Sequence, residues 1–293
     1  MIARHYETAT AFRKALEDRL IRLAADDGTD VQRHRRQVAF DRFLCRLSHH
    51  SHGNWALKGG YAMELRMKFA RTTRDIDLSM KQCPAGNTPS ETSANMLSLL
   101  QAAAACDIKD FFVFRVGVAT MELEGAPDIG MRFPVTALVA DRVFARFYVD
   151  VSVGDISRDT FESVAGRDWL AFAGILPMEI TAISREVQFA EKLHAYTRPR
   201  TDRENSRVKD LVDMVLLIES GEMSAPVLAV AILDTFGNRH SHPLPLSLAP
   251  PPIFWSEPFA KLAKECGIDP DIAPQFTKCS RYLDTLAPNF NRA

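Results

Sequence analysis

The chain has 293 residues, 46% of them hydrophobic and 25% charged, with a formal net charge of −1. That length accommodates one large domain or two of ordinary size, and the balanced charge excludes an overall basic protein, so any nucleic-acid groove must be local. Five scattered cysteines without Cys-x-x-Cys argue against a disulfide framework or zinc site, and no run reaches the roughly 18 apolar residues that span a membrane; residues 1–30 are charged throughout and read as no signal peptide, so the expected compartment is the cytoplasm.

Residues 7–26 and 30–50 carry the apolar spacing of two amphipathic helices, with Phe12, Leu16, Leu20 and Leu23 in the first and Phe40, Phe43, Leu44 and Leu47 in the second. Asp26 to Asp30 forms a loop able to cap the second helix. Trp55-Ala56-Leu57 is a short apolar strand feeding a Gly59-Gly60 turn, and residues 61–68 continue as a helix. Asp75 to Met80 predicts the next strand. Pro84, Gly86 and Pro89 make residues 82–92 a loop, and a helix follows from Ser93 to about Cys106. Phe111 to Val118 and the stretches near 131–138 and 143–153 have strand patterns. From Ile183 onward the pattern is helical, interrupted by a loop holding Pro243, Pro245 and Pro250 to Pro252. The expected class is α+β: a mixed-sheet core with helices over residues 1–180, then a helical domain over residues 181–293.

Two features of the core carry chemistry. In Lys58-Gly59-Gly60 a glycine pair joins a strand to a helix, where unpaired backbone N–H groups favour phosphate oxygens and glycine permits close approach. In Asp75-Ile76-Asp77 the two carboxylates share one strand face, because strand side chains alternate. Two such acids repel unless a cation lies between them, and Mg²⁺ (or Mn²⁺) accompanying a triphosphate meets that demand. Asp150 interrupts the apolar run Phe147 to Val153, which is costly unless its charge is compensated, and it is the candidate third metal acid, with Asp155 as fallback. Lys58 is a secondary phosphate candidate.

These blocks, with Phe189-Ala190-Glu191-Lys192-Leu193-His194-Ala195 and Arg207-Val208-Lys209-Asp210-Leu211-Val212-Asp213 downstream, resemble the nucleotidyltransferase superfamily, and more narrowly its AbiEii/AbiGii (MenT-like) toxin branch. Four blocks in order over residues 55–217 are more specific than any one. The resemblance implies a nucleotidyltransferase fold, transfer of nucleotides from an NTP to an RNA hydroxyl such as the tRNA 3′ end, arrest of translation and a cognate antitoxin. It implies metal acids at Asp75 and Asp77, a triphosphate contact at Lys192 and an active-site acid at Asp213, while Asp210 points away from the apolar stripe of its helix. Relatives carry Ser or Thr where this chain has Tyr61, whose ring is expected beside the nucleotide or on the first helix. The alternatives are nucleotidylation of a protein or small molecule, and a nucleotide-binding module without transfer.

Arg198, Arg200, Arg203 and Arg207 crowd one short linker, a candidate rim for an RNA phosphate backbone. Thr72 and Thr73 precede the metal acids and are candidate modification sites, since a phosphoryl or nucleotidyl group there adds negative charge beside the metal. His49, His50 and His52 lack a partner at ligand spacing, and His194 reads as structural.

Overall fold

The computed structural model describes residues 5–51, 53–82, 86, 88–123, 129–153, 161–200, 204–245 and 247–290; Asp155 and Arg203 lie outside them. The chain divides into two compact units. One contains the described residues up to Leu65, those from Thr72 to the end of the sixth strand, and Phe161–Ala182; the other contains Arg66–Arg71 and the described residues from Ile183 on.

In the first unit, helices α1 (Ala9–Asp27) and α2 (Val31–His50) form where the apolar spacing places them. The Thr8 side chain accepts from the Ala11 N–H to start α1, and Gly28, at φ 65°, ends it in the left-handed region that suits glycine. Asp30 caps α2 by accepting from the Gln32 N–H. Phe12, Leu16 and Leu20 of α1 and Phe40, Phe43 and Leu47 of α2 are buried in the core. A buried ion cluster joins α2 to the sheet: Arg42 and Arg46 both donate to Asp110, just before strand β3 (Phe112–Val116). Burial alone would raise the Asp110 pKa, but the two guanidinium groups hold it below the usual carboxylate range.

Strand β1 (Trp55–Lys58) runs without a break into helix α3 (Gly59–Arg66), so the helix starts two residues before the expected one. Strand β2 (Asp75–Met80) follows, then helix α4 (Pro89–Ala104), which starts at a Thr88 cap rather than at Ser93. Beyond β3 come a short β4 (Met121–Glu122), the long β5 (Gly130–Val139) and β6 (Arg142–Val153), β7 (Phe161–Ala165) and β8 (Glu179–Ile183). The sheet order is β3-β5-β6-β2-β1-β8-β7, with β4 on β5. It is mixed: β1 is antiparallel to β2 but parallel to β8, and β2 is parallel to β6. Its buried face packs Phe133, Val149, Val151, Ile76 and Leu78 beneath α2 and α4.

The second unit is helical: α5 (Arg185–Thr197), α6 (Val208–Ser220), α7 (Ala225–Arg239), α8 (Ser256–Cys266) and α9 (Ile272–Phe290). Helix α5 packs on α6 and α7, and α6 on α8 and α9, around Phe189, Leu193, Leu211, Val215, Leu228, Ile232 and Phe259. The sequence reading places Arg66–Arg71 with the core, but this loop clusters with the helical unit. The cause is polar: Arg66 donates to the Gln188 side chain and the Ile183 carbonyl, and Arg71 makes a bidentate pair with Asp213. Among the described residues no helix is long and apolar enough to cross a membrane.

Candidate active site

Strand register assembles the site. Asp77 of β2 lies opposite Lys58 on one neighbour, β1, and opposite Asp150 on the other, β6, while Asp150 lies opposite Arg132 of β5. Residues opposite one another in a sheet share a face, so the row across four strands reads Arg132, Asp150, Asp77, Lys58, with two acids between two cations. Asp75 lies opposite Tyr148 in the next row. Asp75 and Asp77 are half-buried, whereas Ile76 between them is fully buried on the other face, as the alternation requires.

Asp150 does have a compensating charge. Arg132 Nε donates to its Oδ1 and Nη2 to its Oδ2, both at 2.7 Å, and the same Nη2 lies 3.4 Å from Asp75 Oδ2. The hydrogen bonds that Arg132 donates to Asp150 hold the Arg132 pKa above its ordinary value. The expected third metal acid therefore has both oxygens engaged by a guanidinium. Among the described residues no group of three or more Asp, Glu, His or Cys side chains is arranged to hold a metal. Two carboxylates on one face still fit a hard cation of the Mg²⁺ type, which is commonly held by one or two protein carboxylates plus substrate phosphates.

The glycine turn serves this geometry directly. Gly59 has φ 65°, and a Cβ there would stand 1.9 Å from Asp77 Oδ2 and 2.9 Å from Asp77 Cβ. The space that a side chain would need is thus filled by the metal-acid candidate itself. We expect Gly59→Ala to strain the backbone by about 1–3 kcal/mol and to displace the Asp77 carboxylate. Transfer should fall in parallel with Mn²⁺ affinity; a variant that keeps both would show that the close approach of Gly59 and Asp77 is dispensable. Lys58 Nζ donates to Ser152 Oγ at 2.7 Å.

Tyr61 does not face a nucleotide. It is fully buried, edge-on to Phe40, with its hydroxyl 2.5 Å from Asp41 Oδ1 and 3.1 Å from the Gln37 carbonyl, all on α2. Burial pushes the Asp41 carboxyl up to about 6, against the opposing hydrogen bond from Tyr61. Glu64, one turn on, is also buried and accepts from the Thr73 N–H at 2.6 Å, which pins the loop leading into Asp75. Thr72 and Thr73 in that loop are half-buried, and Thr73 Oγ1 lies 3.4 Å from the Asp75 carbonyl.

A model of the family described as "Nucleotidyl transferase AbiEii toxin, Type IV TA system" matches residues 42–285, spanning Lys58, Gly59, Asp75, Asp77, Arg132 and Asp150. The chain belongs to the AbiEii nucleotidyltransferase toxin family. It is therefore an AbiEii-type nucleotidyltransferase toxin of a type IV toxin–antitoxin system. Among solved structures it is similar to MenT4, a nucleotidyltransferase toxin from Mycobacterium tuberculosis H37Rv, at 16% identity and TM-score 0.58, covering 94% of this chain and 98% of that one. It is also similar to JHP933 from Helicobacter pylori, at 14% identity and TM-score 0.44, covering 86% and 90%. No curated protein matches the chain. The MenT4 likeness supports the α+β nucleotidyltransferase fold.

The other two residues that the family resemblance singles out lie in the helical unit of this AbiEii-family chain. Lys192 of α5 places Nζ 3.0 Å from both Asp210 Oδ1 and Asp213 Oδ2 of α6. Asp213, fully buried, also accepts from Arg71 Nε and Nη2 at 2.9 Å. Burial would raise its pKa, but Lys192 and Arg71 hold it below the ordinary carboxylate range. Asp210 is not the surface residue that the stripe of α6 suggests: it is 4% exposed, because Lys192 on the adjacent helix draws it inward. The ammonium of Lys192 is set between two acids of the adjacent helix.

Arg198 caps α5 and, with Arg200, lines a cleft of about 370 Å³ against Tyr196, Asn205 and the proline-rich loop. Arg207 is exposed, 3.7 Å from Asp210. His194 is structural: its Nε2 is 2.8 Å from Ser241 Oγ, and burial lowers its pKa to about 3. Arg132 and Glu64 escaped the sequence reading. Arg132 interrupts the apolar run Met131 to Val135 much as Asp150 interrupts its own, and two such interruptions on candidate neighbouring strands are the signal that could have paired them.

Proposed function

We propose that this toxin transfers a nucleotide from an NTP to an RNA hydroxyl, the tRNA 3′ end being the favoured acceptor, and thereby blocks translation. The observation that carries the reading is the pair Asp75 and Asp77 on one strand face, with Gly59 packed against Asp77, inside a chain of this family. Asp75 and Asp77 would hold Mg²⁺, which when bound with the triphosphate offsets charge developing on the phosphate oxygens. Lys58 and the backbone of the Gly59-Gly60 turn lie next to these acids, positioned to orient the triphosphate. The acceptor oxygen forms a bond to the α-phosphorus as the bond from that phosphorus to the pyrophosphate oxygen breaks, and the acceptor proton leaves to solvent. Lys192 and Asp213 enter the proposal as the resemblance implies, as a triphosphate contact and an active-site acid.

Incubation of the purified protein with total RNA, Mg²⁺ and each labelled triphosphate in turn tests this. Label in the tRNA band is expected; label in protein or a small molecule alone would replace the acceptor. Arg198, Arg200 and Arg203 are proposed to bind the RNA backbone. Their replacement by Ala should weaken RNA binding and reduce the salt slope by about 0.7–0.9 for each phosphate that is no longer neutralised, with triphosphate binding retained. An unchanged slope would move the RNA surface elsewhere.

The family implies a cognate antitoxin. One route for it is modification of Thr72 or Thr73, which would place about one to two negative charges beside Asp75. Peptide mapping of toxin co-produced with its genomic neighbour should then show added mass on this loop. An unmodified loop in fully neutralised toxin eliminates that route.

A further inference from the structure

Arg132 is held on three sides. Its fork grips both oxygens of Asp150 at 2.7 Å, its Nη2 lies 3.4 Å from Asp75, and its guanidinium carbon is 5.3 Å from the centre of the Tyr148 ring. The backbone enforces the arrangement, because Arg132 and Asp150 are register partners on β5 and β6 and Tyr148 is two residues before Asp150 on the same face. A planar fork on a carboxylate is among the stronger charge-assisted contacts, and it sets a positive charge against both oxygens that a metal would ligate. A cation ligated by Asp75, Asp77 and Asp150 together would have to take the position that this guanidinium holds. Charge points the same way. Arg132 already neutralises one of the three acids, Asp75, Asp77 and Asp150.

We propose that Arg132 is a positioning residue that serves as the site's built-in cation: it keeps Asp150 out of the metal's ligand set, so that a single divalent ion on Asp75 and Asp77 accompanies the triphosphate. Asp150 then acts by holding Arg132, and the strand partner supplies the charge that a second ion would otherwise bring. This rests on the reading of Asp75 and Asp77 as metal acids.

The test counts bound ions rather than turnover. Mn²⁺ is titrated into the full chain by electron paramagnetic resonance, with the α,β-methylene analogue of each ribonucleoside triphosphate in turn. The wild type should bind one ion. Asp150→Asn should still bind one, with affinity little changed. Arg132→Ala leaves the acids without their resident cation, and we expect it to gain about tenfold in Mn²⁺ affinity or to accept a second ion, as unscreened like charges demand. Arg132→Lys should fall between, since it keeps the charge but loses the fork. Circular dichroism establishes that each variant is folded, and Asp150→Asn carries the test if Arg132→Ala is not. Two ions in the wild type, one of them lost in Asp150→Asn, would overturn the inference while leaving Asp75 and Asp77 as ligands. Undiminished Mn²⁺ binding in Asp77→Ala would instead overturn the reading beneath it.

Discussion

Asp77→Ala is expected to abolish nucleotide transfer while leaving the chain folded. Several kcal/mol of transition-state stabilisation come from a metal acting on a phosphoryl group, which is on the order of a thousandfold or more in rate. Asp77 has no substitute in its row: its neighbours are Lys58, a cation, and Asp150, whose oxygens are engaged by Arg132. Folding should not suffer. Removing one of two like charges facing each other across strands relieves repulsion worth roughly 0.2–1 kcal/mol, so the melting temperature should hold or rise slightly. Asp75→Ala should lose activity similarly but gain less stability, because Asp75 already lies 3.4 Å from Arg132. Label incorporation at saturating Mg²⁺, with a thermal melt beside it, measures both effects. Near-normal incorporation by either variant would remove the pair from the chemistry.

Lys192→Met should behave in the opposite way, failing first in stability. Its ammonium lies 3.0 Å from two acids of α6, its side chain is 13% exposed, and Asp213 is fully buried. Removing one partner of a buried ion cluster costs about 3–5 kcal/mol because it strands the remaining charge, or about 10 °C in melting temperature for a chain of this size. Arg71 still neutralises Asp213, so most of the loss should fall on Asp210. The double variant Lys192→Met with Asp210→Asn, which removes both charges, should recover much of it. A single variant that melts like the wild type but loses triphosphate affinity would assign the ammonium to the ligand and not to the cluster. Loss of activity in a Lys192 variant therefore means little until its stability is known.

Short-range sequence patterns account for much of the fold. The stripes Phe12, Leu16, Leu20 and Phe40, Phe43, Leu47 place α1 and α2 because helical periodicity is a local property, and Asp30 caps α2 for the same reason. Asp75 and Asp77 fall on one face because a strand alternates. Strands β7 and β8 were not foreseen. The run Glu179–Ile183 is short and its alternation weak, and pairing of β8 with β1, more than a hundred residues away in the chain, makes it a strand.

The sequence by itself determined which residues are the candidates for the chemistry of this toxin: the glycine turn, the two acids of β2, the acid at Asp150 and the blocks around Lys192 and Asp213. Only the tertiary structure decided what those residues face. Nothing local in the sequence tells that Arg132 rather than a metal ion grips Asp150, that Asp77 fills the space a Gly59 side chain would need, or that Tyr61 turns inward to Asp41. Each partner stands on a different element, 18 to 20 residues away in the chain. Strand register and helix packing choose such partners, and both are set by the whole core and not by neighbouring residues.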